Sequence, residues 1–234
     1  MSGKKSSKNN SQKGNIFNSY KNVVPLTIAQ NEAFKHWDND YNLILDGSAG
    51  AGKTFISMAL AFKAVLDRKT PHKKVIIIRS AVPSRDMGFM PGTLKEKTDM
   101  YTRPYRKIIS ELFDSSAWDY LEQNGLLEFE STSFIRGITL DNAIVIADEM
   151  QNMNFEELNT VMTRIGQNSR MIFSGDYYQS DLHRDKEKSG ILKFLEILDN
   201  MKDFARVNFT HKDIVRSDIV KDYIITKENL KITG

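Results

Sequence analysis

Short apolar runs rich in β-branched residues alternate along this chain with longer segments of helical spacing. The apolar runs predict five strands, at Asn42–Leu45, Val75–Ile78, Ala143–Ala147, Met171–Ser174 and Arg206–Phe209. The segments between them predict helices at Lys53–Leu66, Thr93–Phe113 (interrupted near Pro104), Phe155–Ile165 and Gly190–Leu198. Buried strands that alternate with helices favour right-handed βα units, so we expect an α/β fold with a mostly parallel sheet.

The first 22 residues lack this pattern. They consist mainly of Ser, Asn, Gly and Lys, which bury too little apolar surface to offset the entropy of ordering, so we predict a disordered basic tail over 1–22 and a single folded domain over 23–234. The chain has 33 Lys and Arg against 30 Asp and Glu, a net charge of +3. The lysines that precede the first acidic residue, Glu32, contribute +5, so the rest of the chain sums to −2; they are Lys4, Lys5, Lys8, Lys13 and Lys21. Any nucleic-acid surface on the folded part must therefore be a local patch.

Composition removes several classes of protein from consideration. The chain has no cysteine, which excludes a disulfide framework, a thiol nucleophile and a cysteine-ligated zinc. No apolar run approaches the ~18 residues of a membrane span, and the lysine-rich start lacks the apolar stretch of a secretory signal. We therefore expect a cytoplasmic protein.

A glycine-rich segment between the first strand and the first helix matches the pattern G-x-x-x-x-G-K-[ST] in full. Its glycines allow backbone N–H groups to face a phosphate, and the positive end of the following helix points at the same anion. Lys53 is expected to reach the terminal phosphates, and the hydroxyl of Thr54 to bind Mg²⁺. The predicted phosphate-binding residues are Gly47, Ser48, Ala49, Gly50, Ala51, Gly52, Lys53 and Thr54.

Two further strands end in polar side chains at what should be the same edge of the sheet. Asp148 and Glu149 follow the Ala143–Ala147 run, and Asp176 and Gln179 follow the Met171–Ser174 run. We expect Asp148 to hold the Mg²⁺ through water and Glu149 to act as the general base on an attacking water, an arrangement that suits hydrolysis. Asp176 or Gln179 is predicted to sense the γ-phosphate by hydrogen bonding.

Together these motifs resemble the PhoH-like ATPase family, a branch near the superfamily 1 helicases. The resemblance runs from about Leu26 to Tyr223, and it implies a three-layer RecA-like P-loop core that binds and hydrolyses ATP. By the same resemblance, Gln30 reads the adenine edge. The segments that carry it are Gly47–Thr54, Arg79–Pro83 with Gly88–Gly92, Arg136–Thr139, Asp148–Asn152, Thr163–Gly166, Gly175–Asp176 with Gln179, and Asp213–Arg216. The chain departs from the family at Ser80, where proline is usual, and at Ala51, where threonine is usual.

An arginine is expected to complete the catalytic site, because P-loop hydrolases commonly place one on the transition-state charge. Arg164 and Arg216 are the two candidates. One RecA-like core cannot form the two-core cleft of a monomeric helicase, so we predict a homo-oligomeric ring, hexameric by resemblance, with an arginine acting in trans.

Three functions remain open on the sequence alone: an ATPase coupled to single-stranded RNA or DNA, a nucleotide-gated assembly module, and a P-loop small-molecule kinase. The Asp-Glu pair disfavours the kinase. The candidate nucleic-acid surface combines the loop Ser80–Gly92 with the basic series that follows it, in which aromatic residues could stack bases. A solvated basic helix with core aromatics is the alternative. The side chains concerned are Phe89, Lys95, Lys97, Tyr101, Arg103, Tyr105, Arg106 and Lys107.

Overall fold

The computed structural model describes residues 16, 18–80, 94–114, 117–176 and 185–230, without side-chain placement for 94–100, 185–189, 228 and 229. Two compact units make up the chain. Unit 1 comprises Met1–Val24 and Gly88–Leu127, and unit 2 comprises Pro25–Met87 and Glu128–Gly234. Residues 16 and 18–22 of the predicted tail are described; Ile16 is buried, and Lys21 donates its N–H to Leu112 O at 2.8 Å. The other tail residues lie outside the described part, and their disorder stays a prediction. No helix of the described part is long and apolar enough to cross a bilayer.

One sheet contains six strands, which are β1 (Asn42–Gly47), β2 (Lys74–Arg79), β3 (Leu127–Ser131), β4 (Ala143–Asp148), β5 (Arg170–Gly175) and β6 (Phe204–Phe209). Their order in the sheet is β3-β2-β4-β5-β1-β6. The neighbours β2–β4, β4–β5, β5–β1 and β1–β6 all pair in parallel, which confirms the predicted α/β fold with a mostly parallel sheet. Parallel strands bring their carboxyl ends to one edge, where ligands of such sheets bind.

Seven helices accompany the strands in the described part of the chain. They are α1 (Ile28–Asp38), α2 (Lys53–Leu66), α3 (Leu94–Leu112), α4 (Ala117–Gln123), α5 (Phe155–Thr163), α6 (Asp185–Asp199) and α7 (Asp218–Asn229). Short 3₁₀ turns at Met150–Asn152 and His211–Asp213 follow β4 and β6. The predicted helix over Lys53–Leu66 matches α2 to the residue, whereas α1, α4, α7 and strand β3 were not predicted.

The core of unit 2 lies on both faces of the sheet. Helices α1 and α2 contact one face, and nine of the fourteen residues of α2 are buried. Apolar side chains of α5 and α6 pack against the other face, with Phe194 and Phe173 in edge contact at 5.1 Å between ring centroids. Since every residue of β4 is buried, this central strand fixes the position of the two carboxylates at its carboxyl end.

Unit 1 contributes α3 and α4. Tyr105 and Ile109 of α3 are buried, and Trp118 of α4 lies under the Arg106 guanidinium, 4.6 Å from ring centroid to Cζ. On the outer side of α3, Arg103, Arg106 and Lys107 are exposed. Because Tyr105 is buried, it belongs to the core and not to a base-stacking surface. For this residue the structure agrees with the alternative of a solvated basic helix with core aromatics.

Candidate active site

The phosphate-binding loop joins β1 to α2 at the carboxyl edge of the sheet. Gly47 has a φ of 125°, and a Cβ placed on it would lie 1.8 Å from the carbonyl oxygen of Phe209. The next residue, Ser48, donates its N–H to that same oxygen at 2.9 Å. Only glycine fits the first position of the motif, because β6 approaches the loop so closely.

Contacts from distant parts of the chain hold the other carbonyls of the loop. Val215 donates its N–H to Gly50 O at 3.2 Å. The Gln30 amide is buried, donates from Nε2 to Ala51 O at 3.3 Å, and accepts at Oε1 from Leu26 N at 2.8 Å. A loop whose carbonyls are bound on the outside presents its N–H groups to an anion. The structure thus places Gln30 as a support of the loop, and its adenine contact stays a prediction.

Lys53 occupies the centre of the site. Its Nζ donates to Gly47 O at 2.6 Å and to Ser48 O at 2.9 Å. Burial lowers the pKa of Lys53, and the negative charges of Asp176, Glu149, Asp148 and Asp46 oppose that shift. These carboxylates favour the charged form of the Lys53 ammonium group, which is the form that pairs with a phosphate.

Thr54 and Asp148 meet across 94 positions of sequence. The Thr54 hydroxyl donates to Asp148 Oδ1 at 3.0 Å, and Asp148 is buried. A hydroxyl and a carboxylate oxygen in contact beside a phosphate loop are the hard oxygen ligands that Mg²⁺ takes in such sites. The residues present therefore fit the predicted cation. Its binding by the Thr54 hydroxyl, and by Asp148 through water, stays a prediction.

Glu149 has an unusual backbone for its residue type. Its φ of 55° and ψ of 43° place it in the left-handed region, which costs energy for a side chain without a local hydrogen-bonding preference and is typical of functional sites. Burial raises the pKa of Glu149 and so does the charge of Asp148, while the Gln151 hydrogen bond and the cations Arg79 and Lys53 act in the opposite direction. A carboxylate with a raised pKa is better suited to accept a proton near neutral pH.

Sequence reasoning missed Gln151 as a member of the site. Its Nε2 donates to Glu149 Oε2, and its Oε1 accepts from Asp176 N at 3.0 Å. The available signal was its place two residues after the Asp-Glu pair. Arg79, whose cation acts on Glu149, was missed as well, although it ends the neighbouring strand β2.

The cleft at the centre of the site has a volume of about 350 Å³, a size typical of small-molecule sites. Most of the predicted site residues are therefore brought together in unit 2. Gln179 lies outside the described residues. The cleft is lined by Ala49, Gly50, Gly52, Lys53, Thr54, Asp148, Glu149, Gln151, Ser174, Gly175, Asp176 and Arg216.

The two candidate arginines lie in different places. Arg216 is exposed and lines the cleft against Gly50. Arg164 caps the carboxyl end of α5, where its carbonyl accepts from Leu140 N ahead of β4. Strand β4 has six residues, about 20 Å at ~3.3 Å each, so Arg164 lies near the opposite edge of the sheet from Asp148.

A family model described as PhoH-like protein matches residues 22–227. The chain belongs to the PhoH-like family. It is 32% identical over 205 residues to a PhoH-like protein of Mycobacterium leprae, 36% over 209 residues to one of Bacillus subtilis, and 32% over 197 residues to Protein PhoH of Escherichia coli K12. The matches cover 87%, 87% and 81% of this PhoH-like chain and 58%, 63% and 55% of the relatives, so it spans little more than half of their length.

Among solved structures, the chain is similar to a phage terminase and to several helicases. The large terminase of a thermophilic bacteriophage matches with a TM-score of 0.49 and 17% identity, covering 86% of this chain and 50% of that one. The Pif1 helicase of Candida albicans matches with a TM-score of 0.44 and 17% identity, covering 89% and 44%. With its parallel sheet and its strand-loop-helix phosphate site, the PhoH-like chain has the predicted RecA-like P-loop fold.

Proposed function

We propose that this PhoH-like protein is a Mg²⁺-dependent ATPase that hydrolyses ATP to ADP and phosphate, coupled to the binding or remodelling of single-stranded RNA or DNA. The observation that carries the proposal is the hydrogen bond between Thr54 and Asp148 beside the Glu149 carboxylate, in the same cleft as the phosphate loop. It supports a hydrolase because Glu149, the proposed base, lies next to Thr54 and Asp148, the proposed cation-binding residues. The cytoplasmic location stays a prediction from the sequence.

The proposed roles follow from position. The loop N–H groups and Lys53 bind the β- and γ-phosphates, and Mg²⁺ held by Thr54 and Asp148 supplies charge neutralisation when bound. Glu149 accepts a proton from water as the water oxygen bonds to the γ-phosphorus. The bond from that phosphorus to the ADP oxygen breaks, and ADP leaves with the electron pair.

Position also divides the two arginines. Arg216 lines the cleft of its own chain, which supports a role on the phosphates in cis. Arg164 lies near the opposite edge, away from the cleft of its own chain, so we assign it the role in trans within a ring. All described side chains of α7 are exposed or half-buried. Three exposed apolar side chains on this helix, Ile219, Val220 and Tyr223, support contact with a second copy.

Unit 1 offers the proposed nucleic-acid surface. Arg103 and Lys107 lie one turn apart on the exposed side of α3, and cations on one helix face can bind successive phosphates. Lys95 and Lys97 belong to the part of α3 without described side chains, and Phe89 lies outside the described residues. Tyr101, which is half-buried, is the remaining candidate for base stacking.

Phosphate release with and without single-stranded RNA or DNA tests the proposal. We expect single-stranded RNA or DNA to stimulate hydrolysis, and we expect no turnover in Lys53→Ala. The exposed Lys202→Ala is its matched control. Slow hydrolysis at a rate that does not change when nucleic acid is added would favour the nucleotide-gated assembly module. Transfer of the γ-phosphate to a metabolite would establish the kinase, and an active Lys53→Ala variant would refute the site.

A further inference from the structure

Glu149 does not stand alone at the end of β4. A carboxylate acts as a base only when its oxygen points at the proton it takes, so something must fix its rotation. The backbone of Glu149 is in the left-handed conformation, and its Oε2 accepts a hydrogen bond from the Nε2 of Gln151. The Gln151 amide is therefore the group that sets the direction of the carboxylate.

Gln151 is itself fixed from β5. Its side chain is only 7% exposed, and its Oε1 accepts the N–H of Asp176 at 3.0 Å, which determines the orientation of the amide. Gly175 makes room for this contact, because a Cβ there would lie 2.4 Å from Gln151 Oε1. One amide thus connects the ends of two adjacent strands, β4 and β5.

We propose that Gln151 is a positioning residue that holds the Glu149 carboxylate and couples its direction to the Asp176 segment after β5. A shift of the Asp176 backbone turns the amide, and the amide turns the base. The inference rests on the proposed ATPase activity and deepens it. It gives the segment expected to sense the γ-phosphate a direct connection to the base.

Three variants separate the two ends of this connection. Gln151→Met removes both hydrogen bonds, whereas Gln151→Glu keeps an acceptor for Asp176 N and loses the donor to Glu149. Gly175→Ala leaves Gln151 in the chain but pushes its amide away. The exposed Gln167→Met is the matched control.

Steady-state hydrolysis, binding of a fluorescent ATP analogue and NMR-detected exchange of the Asp176 amide provide the readouts. We expect kcat to fall about 10–100-fold in all three variants, as is usual for lost supporting hydrogen bonds, with KM within about threefold of wild type. Retained binding of the ATP analogue shows that each variant is folded. Asp176 N–H should exchange faster in Gln151→Met and stay protected in Gln151→Glu.

The outcomes distinguish this inference from the function it rests on. A wild-type chain that binds ATP without hydrolysing it overturns the proposed function and the positioning role together. If wild type hydrolyses ATP while Gln151→Met keeps full kcat, or if its Asp176 amide stays as protected as in wild type, only the positioning role is wrong. A rise in KM that accounts for the whole loss would also overturn it, because Gln151 would then serve binding.

Discussion

At the scale of residues, the site includes side chains that belong to no phosphate-binding motif. The loop, Lys53, Thr54 and the Asp-Glu pair could be predicted because their spacing in sequence reflects local geometry, a turn before a helix or the end of a strand. Gln151 and Arg79 could not be assigned that way. Their roles depend on which way a side chain turns at the edge of the sheet and on which strands are neighbours there.

Replacing Glu149 by Gln tests the base directly. The substitution keeps the shape but removes the proton acceptor, so we expect kcat for ATP hydrolysis to fall about 10²–10⁴-fold while nucleotide binding persists. Steady-state release of phosphate and equilibrium binding of a fluorescent ATP analogue measure the two effects.

Glu156→Gln serves as the control, since Glu156 is exposed in the first turn of α5. It should behave as wild type. Retention of full kcat in Glu149→Gln would show that another group accepts the proton.

At the scale of elements, prediction was best where burial is continuous and worst where it is one-sided or absent. Strands β2, β4 and β5 are nearly wholly buried, so their sequences are plain apolar runs. Strand β3 (LEFES) has one buried residue out of five, and α7 has none among its described side chains, so neither shows a strong pattern. Their positions are set by contacts elsewhere in the fold rather than by local sequence.

The turn after β6 illustrates such contacts. Buried Asp213 accepts from Thr210 N at 2.9 Å and from Ala29 N at 3.4 Å, which joins the start of α1 to the segment that holds the phosphate loop. Burial alone would raise the pKa of Asp213, but these hydrogen bonds, with those from the Thr27 and Thr210 hydroxyls, outweigh it and hold the pKa below 3.8.

Asp213→Asn should therefore destabilise the fold in a pH-dependent way. A carboxylate whose pKa is depressed on folding contributes stability above its unfolded pKa and loses it as the pH falls through the folded value. We expect a loss of about 1–3 kcal/mol in the free energy of unfolding at pH 7. The difference from wild type should shrink at pH values below 3.8.

Urea unfolding at pH 7 and at steps down to the lowest pH at which wild type stays folded measures this. Asp222→Asn, on the exposed side of α7, is the matched control and should be neutral. An equal loss at every pH would mean that the Asp213 charge is not the source of the stability.

At the scale of the whole molecule, the two arginines predict how subunits cooperate. If Arg164 acts in trans, co-expressed Lys53→Ala and Arg164→Ala chains should regain hydrolysis, because some interfaces combine an intact Lys53 with an intact Arg164. Each variant alone should be inactive. The regained rate is measured as phosphate release per ring after purification of mixed oligomers.

Arg216 provides the opposite expectation. If it acts within its own chain, mixing Arg216→Ala with Lys53→Ala regains nothing, since no subunit then holds both residues. Recovery with Arg216→Ala and none with Arg164→Ala would exchange the assignments, and full activity in a strictly monomeric preparation would refute the ring.

The exposed cations of α3 make a second prediction at this scale. Arg103→Gln with Lys107→Gln should weaken binding of single strands and reduce the slope of log K against log salt by about 0.7 per lost phosphate contact. Fluorescence anisotropy across a salt series measures the slope. Lys202→Gln, exposed elsewhere, should leave it unchanged, and an unaltered slope in the double variant would place the strand on another surface.

The contact between the phosphate loop and β6 bears on how the protein is made. Ser48 and Gly50 are held by Phe209 and Val215, which are synthesised about 160 residues later. At ~5–20 residues per second a ribosome needs roughly 10–30 s to add them. A nascent chain that ends before β6 would carry the phosphate loop and the Asp-Glu pair and still lack the backbone groups of Phe209 and Val215 that hold the loop. ATP binding should therefore begin only when nearly the whole chain has emerged.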